Sequence, residues 1–232
     1  MASLSVVVPM YNEERLAKKA VENILRVVER ANLDYELLVV ESGSTDKTPQ
    51  IIDGLAKKNK RVRALHQKRK EGLGSAIRCG FREAKKEVIL YMDGDSPFDP
   101  KAILEGMLLL EGTDAVLGSR LGDRENFSRW FFSKGYNLLI RLVFGIAVKD
   151  VNFSFKMLSR RALDSIHLES DGFFIDAELI AELKRAGMRW KEISIPYDER
   201  GAGTSTVRIG PKLISNMLKE LSAYRRRTHG LR

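Results

Sequence analysis

Short β-branched runs that return between longer stretches of helical period constrain this chain most. Leu4–Val8, Tyr35–Val40, Val62–His66, Val88–Met92 and Ala115–Ser119 read as strands. Between them Glu13–Ala31 sets Leu16, Ala20, Ile24, Val27 and Val28 on one helical face, while Asp46–Asn59 and Ser75–Lys85 read as shorter helices. Asp99 is placed to cap a further helix with Pro100 at its first position, and Gly112 ends it. Strand and helix in alternation predict an α/β domain with a mostly parallel central sheet flanked by helices.

Sheets of that kind bind ligands at the carboxyl ends of their strands, so the loops there carry the functional information. They read Pro9-Met10-Tyr11-Asn12-Glu13, Glu41-Ser42-Gly43-Ser44-Thr45-Asp46, Asp93-Gly94-Asp95 and Gly118-Ser119-Arg120. All are polar and share one rim. No G-x-G-x-x-G follows the first strand and no G-x-x-x-x-G-K-[ST] occurs, which excludes the dinucleotide fingerprint and the P-loop.

After Gly118 the alternation lapses into an aromatic-rich amphipathic segment, Ser128 to Val148, with Arg129, Lys134 and Arg141 among its apolar residues. Two readings stand for it: packing on the sheet, or membrane-interface helices whose cations meet lipid phosphates. A helix over Asp176–Arg185 and a strand over Trp190–Ile195 lead to the glycine-rich Glu199-Arg200-Gly201-Ala202-Gly203. Residues 1–207 are therefore expected to form the main globular domain and 208–232 a basic amphipathic helical tail ending in Arg225-Arg226-Arg227.

With 40 Lys and Arg against 31 Asp and Glu, the net charge of +9 favours a polyanionic partner: nucleic acid, an anionic lipid surface or a phosphorylated small molecule. Acid at the predicted strand ends opposes a nucleic-acid backbone, so no nucleic acid is expected. The longest uncharged apolar stretch near the middle, Leu142–Val148, is far short of the roughly 20 residues of a membrane span. Its start carries no secretory signal, so a cytoplasmic location with peripheral membrane association is expected. A single cysteine, Cys79, excludes an internal disulfide, and three scattered histidines favour a hard, oxygen-bound metal if there is one.

The acidic loop Asp93-Gly94-Asp95 sits directly behind the apolar run Val88–Met92. Two carboxylates one residue apart repel each other, and a divalent cation relieves that. Mg²⁺ or Mn²⁺ takes one or two carboxylates and completes its shell with water and substrate phosphates, so the loop suits a metal–diphosphate complex. In isolation the same pair also reads as a turn cap beside a solvated acid.

Taken together, "VVVPMYNEE" (Val6–Glu14), "VVESGSTDKT" (Val39–Thr48), "GLGSAIRCGFREA" (Gly72–Ala84), "YMDGDSPFDP" (Tyr91–Pro100), "GSR" (Gly118–Arg120), "SRWFFSKGYN" (Ser128–Asn137) and "ERGAGTS" (Glu199–Ser205) follow a known order. The chain resembles the inverting family 2 glycosyltransferases, and within them the dolichol-phosphate mannose synthase-like, polyprenyl-phosphate branch. The resemblance implies a GT-A-type nucleotide-diphospho-sugar transferase fold and transfer of a hexose, mannose or glucose, from a GDP- or UDP-sugar to a polyprenyl phosphate. It implies that Pro9, Tyr11, Glu13, Glu41 and Asp46 line the base and ribose pocket, with Gly72 also at the substrate. By the same resemblance Asp93 and Asp95 hold Mg²⁺ or Mn²⁺, and Arg120, Arg129, Ser133 and Arg200 bind donor or acceptor phosphates. Guanidinium forks suit phosphate oxygens, and carboxylates suit metal or ribose hydroxyls.

The sequence departs from the family pattern at Glu41-Ser42, where two adjacent aspartates are usual, at Pro97 and at Thr206. These changes bear on the substrate more than on the reaction class. A polyprenyl phosphate is already anionic and needs no strong base. A hydroxyl acceptor, soluble or on a glycan, needs one, and Asp176 or Glu178 is the candidate, although acids at a helix start also answer the helix dipole. A basic nucleic-acid-binding protein and a non-catalytic sugar-nucleotide binder are the readings from other classes.

Overall fold

The protein is described by a computed structural model covering residues 3–94, 99–121, 127–196 and 210–229, with the backbone alone for 127–131, 211, 212 and 229. The elements run β1 (Leu4–Met10), α1 (Ala17–Arg30), β2 (Tyr35–Glu41), α2 (Thr48–Lys58), β3 (Val62–His66), α3 (Leu73–Glu83), β4 (Val88–Met92), α4 (Ala102–Leu110) and β5 (Ala115–Leu121). There follow α5 (Phe127–Phe144), β6 (Phe155–Ser159), α6 (Arg160–Asp164), α7 (Ile175–Arg185), β7 (Trp190–Pro196) and α8 (Pro211–His229).

Among the described residues the strands form one seven-stranded sheet in the order β3-β2-β1-β4-β6-β5-β7. The neighbours β3, β2, β1 and β4 are parallel, and β5 is parallel to β7. β6 is antiparallel to both β4 and β5, so β5 points the same way as β1. The carboxyl ends of six strands therefore share one rim. This is the expected α/β fold with a mostly parallel central sheet.

The central strands are buried on both faces, as continuous β-branched runs demand: β2 is buried along its whole length and β4 likewise. One core packs α1, α2 and α4 on the sheet through Val21, Ile24, Val28, Ile52 and Ile103. On the other face Ile77 and Phe81 of α3, Ile140 of α5, Leu179 and Ile180 of α7, and Leu221 and Tyr224 of α8 form a second core.

Two elements depart from the sequence reading, α1 and β6. Leu16 precedes α1, and the buried stripe is Ala17, Ala20, Val21, Ile24 and Val28. β6 was not expected as a strand, because Phe155–Ser159 mixes apolar residues with a lysine whose charge is neutralised inside the protein. The tail expected over 208–232 contains α8, which docks into the second core and is fastened to α7. Arg227 pairs with Glu169 at 2.7 Å and Glu178 at 2.9 Å, and the Tyr224 hydroxyl donates to Glu182 at 2.8 Å. Its Glu220 accepts the Gly172 N–H at 2.8 Å.

Of the two readings of 128–148, the structure shows packing on the sheet by one face of α5, while other side chains of the helix stay exposed. Ile140 is buried, with Tyr136, Leu139, Val143 and Phe144 packed beside it. Phe132, Leu138 and Leu142 face outward, Leu142 at 75 % exposure. Among the described residues no helix is long and apolar enough to cross a membrane.

Candidate functional site

Strand register brings the polar loops to one height. Met10 pairs with Glu41 and Glu41 with His66, so β1, β2 and β3 end level. Tyr91 pairs with Val7, which sets Asp93 and Gly94 beside Pro9 and Met10. Gly94 belongs there because a Cβ would lie 2.7 Å from the Met10 side chain and 3.0 Å from the Pro9 carbonyl oxygen. Across β6, Met92 faces Phe155 and Leu117 faces Lys156, so Ser119 and Arg120 stand level with Asp93 and Gly94.

The first two loops are zipped together. The Asn12 amide, held at φ +55°, donates to Ser44 Oγ at 3.0 Å, and its side-chain oxygen accepts the Thr45 N–H at 2.8 Å. The Glu13 N–H donates to Thr48 Oγ1 at 2.8 Å. Asp46 accepts the Thr48 N–H at 2.9 Å and the Glu14 N–H at 3.1 Å. Burial pushes the Asp46 carboxyl up, but those bonds outweigh it and hold it below its ordinary value. Asp46 thus fastens the two loops to each other.

Glu41, 3 % exposed, closes β2. Its Oε1 accepts the Ser44 N–H at 2.5 Å and its Oε2 lies 3.4 Å from His66 Nδ1. Tyr11 is half-buried, and Lys70 Nζ stands 3.7 Å above its ring, a cation–π contact. The strand-three loop reaches it because Gly43, at φ +70°, leaves room: a Cβ there would lie 2.7 Å from the Arg69 backbone. Gly72 has the same kind of role at φ +112°, with the Asp171 carbonyl oxygen 2.2 Å from where a Cβ would be. That carbonyl also accepts the Gly74 N–H at 2.8 Å, so the start of α3 is capped by backbone.

Asp93 is half-buried behind β4, where Ser154 Oγ donates to its Oδ2 and the Tyr91 hydroxyl lies 3.5 Å from Oδ1. Both donors orient the carboxylate at the rim. Its hard oxygens suit Mg²⁺ or Mn²⁺, which needs only one or two such ligands. Among the described residues no cluster of three or more acidic, histidine or cysteine side chains could hold a metal ion. Asp95 and Arg200 lie outside the described residues, as does the Arg129 side chain. Arg129 and the half-buried Ser133 are one turn apart on α5. The structure therefore brings Pro9, Tyr11, Glu13, Glu41, Asp93 and Arg120 to one edge. Ser154 and Lys70 join them without having been singled out from the sequence; the basic run Lys68-Arg69-Lys70 was the signal for the second.

The two candidate bases are committed elsewhere. Asp176 Oδ1 lies 2.8 Å from Lys156 Nζ, with both side chains at most 5 % exposed, and Lys156 also donates to the Phe153 carbonyl at 2.6 Å. Burial pushes the Asp176 carboxyl up, Lys156 pulls it back, and Asp150 adds to the rise, leaving it raised. Glu178 accepts the Ser170 N–H at 2.8 Å and the Arg227 guanidinium at 2.9 Å.

Residues 5–166 match the family described as Glycosyl transferase family 2. The chain belongs to that family. Among curated proteins the family member is similar to glycosyltransferase AglD of Haloferax volcanii, 31 % identical over 85 % of this chain but only 33 % of the relative. It is also similar to the dolichyl-phosphate beta-glucosyltransferase ALG5A of Trichomonas vaginalis, 26 % identical over 93 % of this chain and 72 % of that one. The chain thus spans about a third of the first relative's length. Its fold matches glucosyl-3-phosphoglycerate synthase from Mycobacterium tuberculosis, solved with Mn²⁺ and UDP-glucose, at a TM-score of 0.73 and 19 % identity, over 97 % of this chain and 79 % of that one. The GT-A fold expected from the sequence is the fold observed.

Proposed function

We propose that this family 2 domain transfers a hexose, mannose or glucose, from a nucleoside diphosphate sugar to a polyprenyl phosphate, with inversion at the anomeric carbon. Tyr11, Glu41 and Pro9 would receive base and ribose on the β1–β2 side of the rim. Arg120 would grip a phosphate on the β5 side, with Arg129, Ser133 and Arg200 assigned to phosphates by the family resemblance. Asp93 and Asp95 would hold Mg²⁺ or Mn²⁺, which neutralises the leaving diphosphate when bound. The observation that carries the reading is the meeting of Asp93, Glu41 and Tyr11 with Arg120 at one edge of the sheet.

Two further features favour a phosphate acceptor over a hydroxyl. Asp176 is sealed in a buried pair with Lys156, and Glu178 is spent on backbone amides and Arg227, so neither is placed to take a proton from an alcohol. Leu138 and Leu142, one turn apart on α5, and Leu218 on α8 are exposed, and the same two helices carry the exposed Arg141, Arg225 and Arg226. Such a surface suits an anionic leaflet, where a lipid acceptor would be found.

The test is transfer of labelled hexose from UDP- and GDP-sugars to polyprenyl phosphate in anionic vesicles. Label should enter the organic-extractable fraction only with Mg²⁺ or Mn²⁺, and the protein should sediment with the vesicles less as salt rises. Label appearing only on a water-soluble acceptor would overturn the lipid assignment.

A further inference from the structure

We propose that His66 is a positioning residue for donor binding, holding the Glu41 carboxylate at the end of β2 by bridging it to Asp53. The proposal deepens the functional reading above and rests on it, since that reading places Glu41 in the base and ribose pocket.

Glu41 and His66 are register partners at the ends of adjacent strands. Glu41 is nearly sealed from water and sited at the rim, where one oxygen is taken by the Ser44 N–H and the other faces His66 Nδ1 at 3.4 Å. On the far side of the ring, Nε2 lies 2.9 Å from Asp53 Oδ1 on α2. Carboxylates on both sides set a strict requirement. A neutral imidazole has one N–H and one lone pair, so only the imidazolium can donate to both.

The charges acting on the ring come from the two elements packed against β3. Burial lowers the His66 pKa, but Asp53 on α2 and Glu41 on β2 outweigh it, and the net shift is upward. The sign follows. Below that raised pKa both contacts are made. As pH rises through it, the remaining N–H stays on the nearer carboxylate, Asp53, and the Nδ1 lone pair is turned on Glu41 Oε2. Two acceptors then face each other and Glu41 loses its hold. The same loop, residues 41 to 48, is tied to Asn12 and Glu13, so the disturbance falls on the donor side of the rim.

Donor affinity should therefore weaken above the His66 pKa while the chemical step is untouched. The experiment uses the full chain with UDP and GDP plus Mn²⁺, by calorimetry, and donor KM and kcat, from about pH 5.5 to about pH 9. His66 itself is followed by NMR titration. We expect KM to rise about three- to tenfold across the His66 titration, the worth of one hydrogen bond, with kcat unchanged. Asp53→Asn should move both the NMR midpoint and the KM midpoint to lower pH. His66→Gln should leave KM high and flat at every pH. A KM profile unaltered in both variants, or kcat falling as KM rises, would overturn the proposal. Absence of any nucleoside diphosphate binding would overturn the functional reading and this one with it, whereas binding without the pH and variant effects overturns only this one.

Discussion

Replacing Lys156 by methionine isolates the most buried ion pair among the described residues, and its cost can be bounded. Lys156 is 1 % exposed and its partner Asp176 lies 2.8 Å away. Without the ammonium, Asp176 is left as a buried charge, which typically costs about 3 to 5 kcal/mol. The carboxyl can escape by taking a proton. From an ordinary pKa of about 3.9 that costs about 4 kcal/mol at pH 7 but only about 1.5 kcal/mol at pH 5, at about 1.4 kcal/mol per pH unit. The Phe153 carbonyl, which accepts from Lys156 at 2.6 Å and from the Phe155 N–H at 2.9 Å, loses the first of these bonds for about 1 kcal/mol more. The expected loss is thus about 4 to 5 kcal/mol at pH 7 and about 2 to 3 kcal/mol at pH 5. In the variant the folded Asp176 pKa lies above the unfolded one, so stability falls as pH rises between the two. Urea unfolding followed by tryptophan fluorescence, against wild type at each pH, measures this. The double change Lys156→Met with Asp176→Leu should recover most of the loss. Equal losses at both pH values, or no recovery in the double variant, would refute the reasoning.

Two further stability predictions follow from geometry. Gly72→Ala forces a Cβ onto the Asp171 carbonyl at φ +112° and should cost about 2 to 4 kcal/mol in urea unfolding, whereas Gly54→Ala, with nothing within 4 Å in the interior of α2, should stabilise by about 0.5 to 1 kcal/mol. For Glu182, burial pushes the carboxyl up, but bonds from Arg185, Tyr224 and the His167 amide outweigh it and hold it below its ordinary range. Its contribution is present above the unfolded pKa and lost as pH falls through the folded one, so α8 should undock on acidification, seen as hydrogen exchange rising first across residues 211–229.

Much of the rim was legible because its logic is local. Parallel strands write themselves as continuous β-branched runs, and the residue after each run faces the ligand edge, so Tyr11, Glu41, Asp93 and Arg120 could be placed by counting. β6 could not, because Lys156 looks like a surface residue until Asp176, twenty positions later, neutralises it. Arg227 read as one of the cations that suit a helix C-terminus, and its partners Glu169 and Glu178 come from another part of the chain. The bridge from Glu41 through His66 to Asp53 was hidden for the same reason: it joins two strands and a helix, and no spacing announces it. Gly72 was singled out by its motif, while the reason for it, a backbone approach from Asp171, is visible only in three dimensions.

The central claim is that the loop behind β4 grips a divalent ion carrying the donor's two phosphates. Calorimetric titration of UDP and GDP into wild-type protein and Asp93→Asn, with and without Mn²⁺, tests it most directly. The account predicts that one nucleotide binds wild type tightly only with the metal, and that Asp93→Asn loses this metal-dependent gain while its unfolding midpoint stays near that of wild type. Nucleotide binding that is indifferent to Mn²⁺ and undiminished in Asp93→Asn would contradict it.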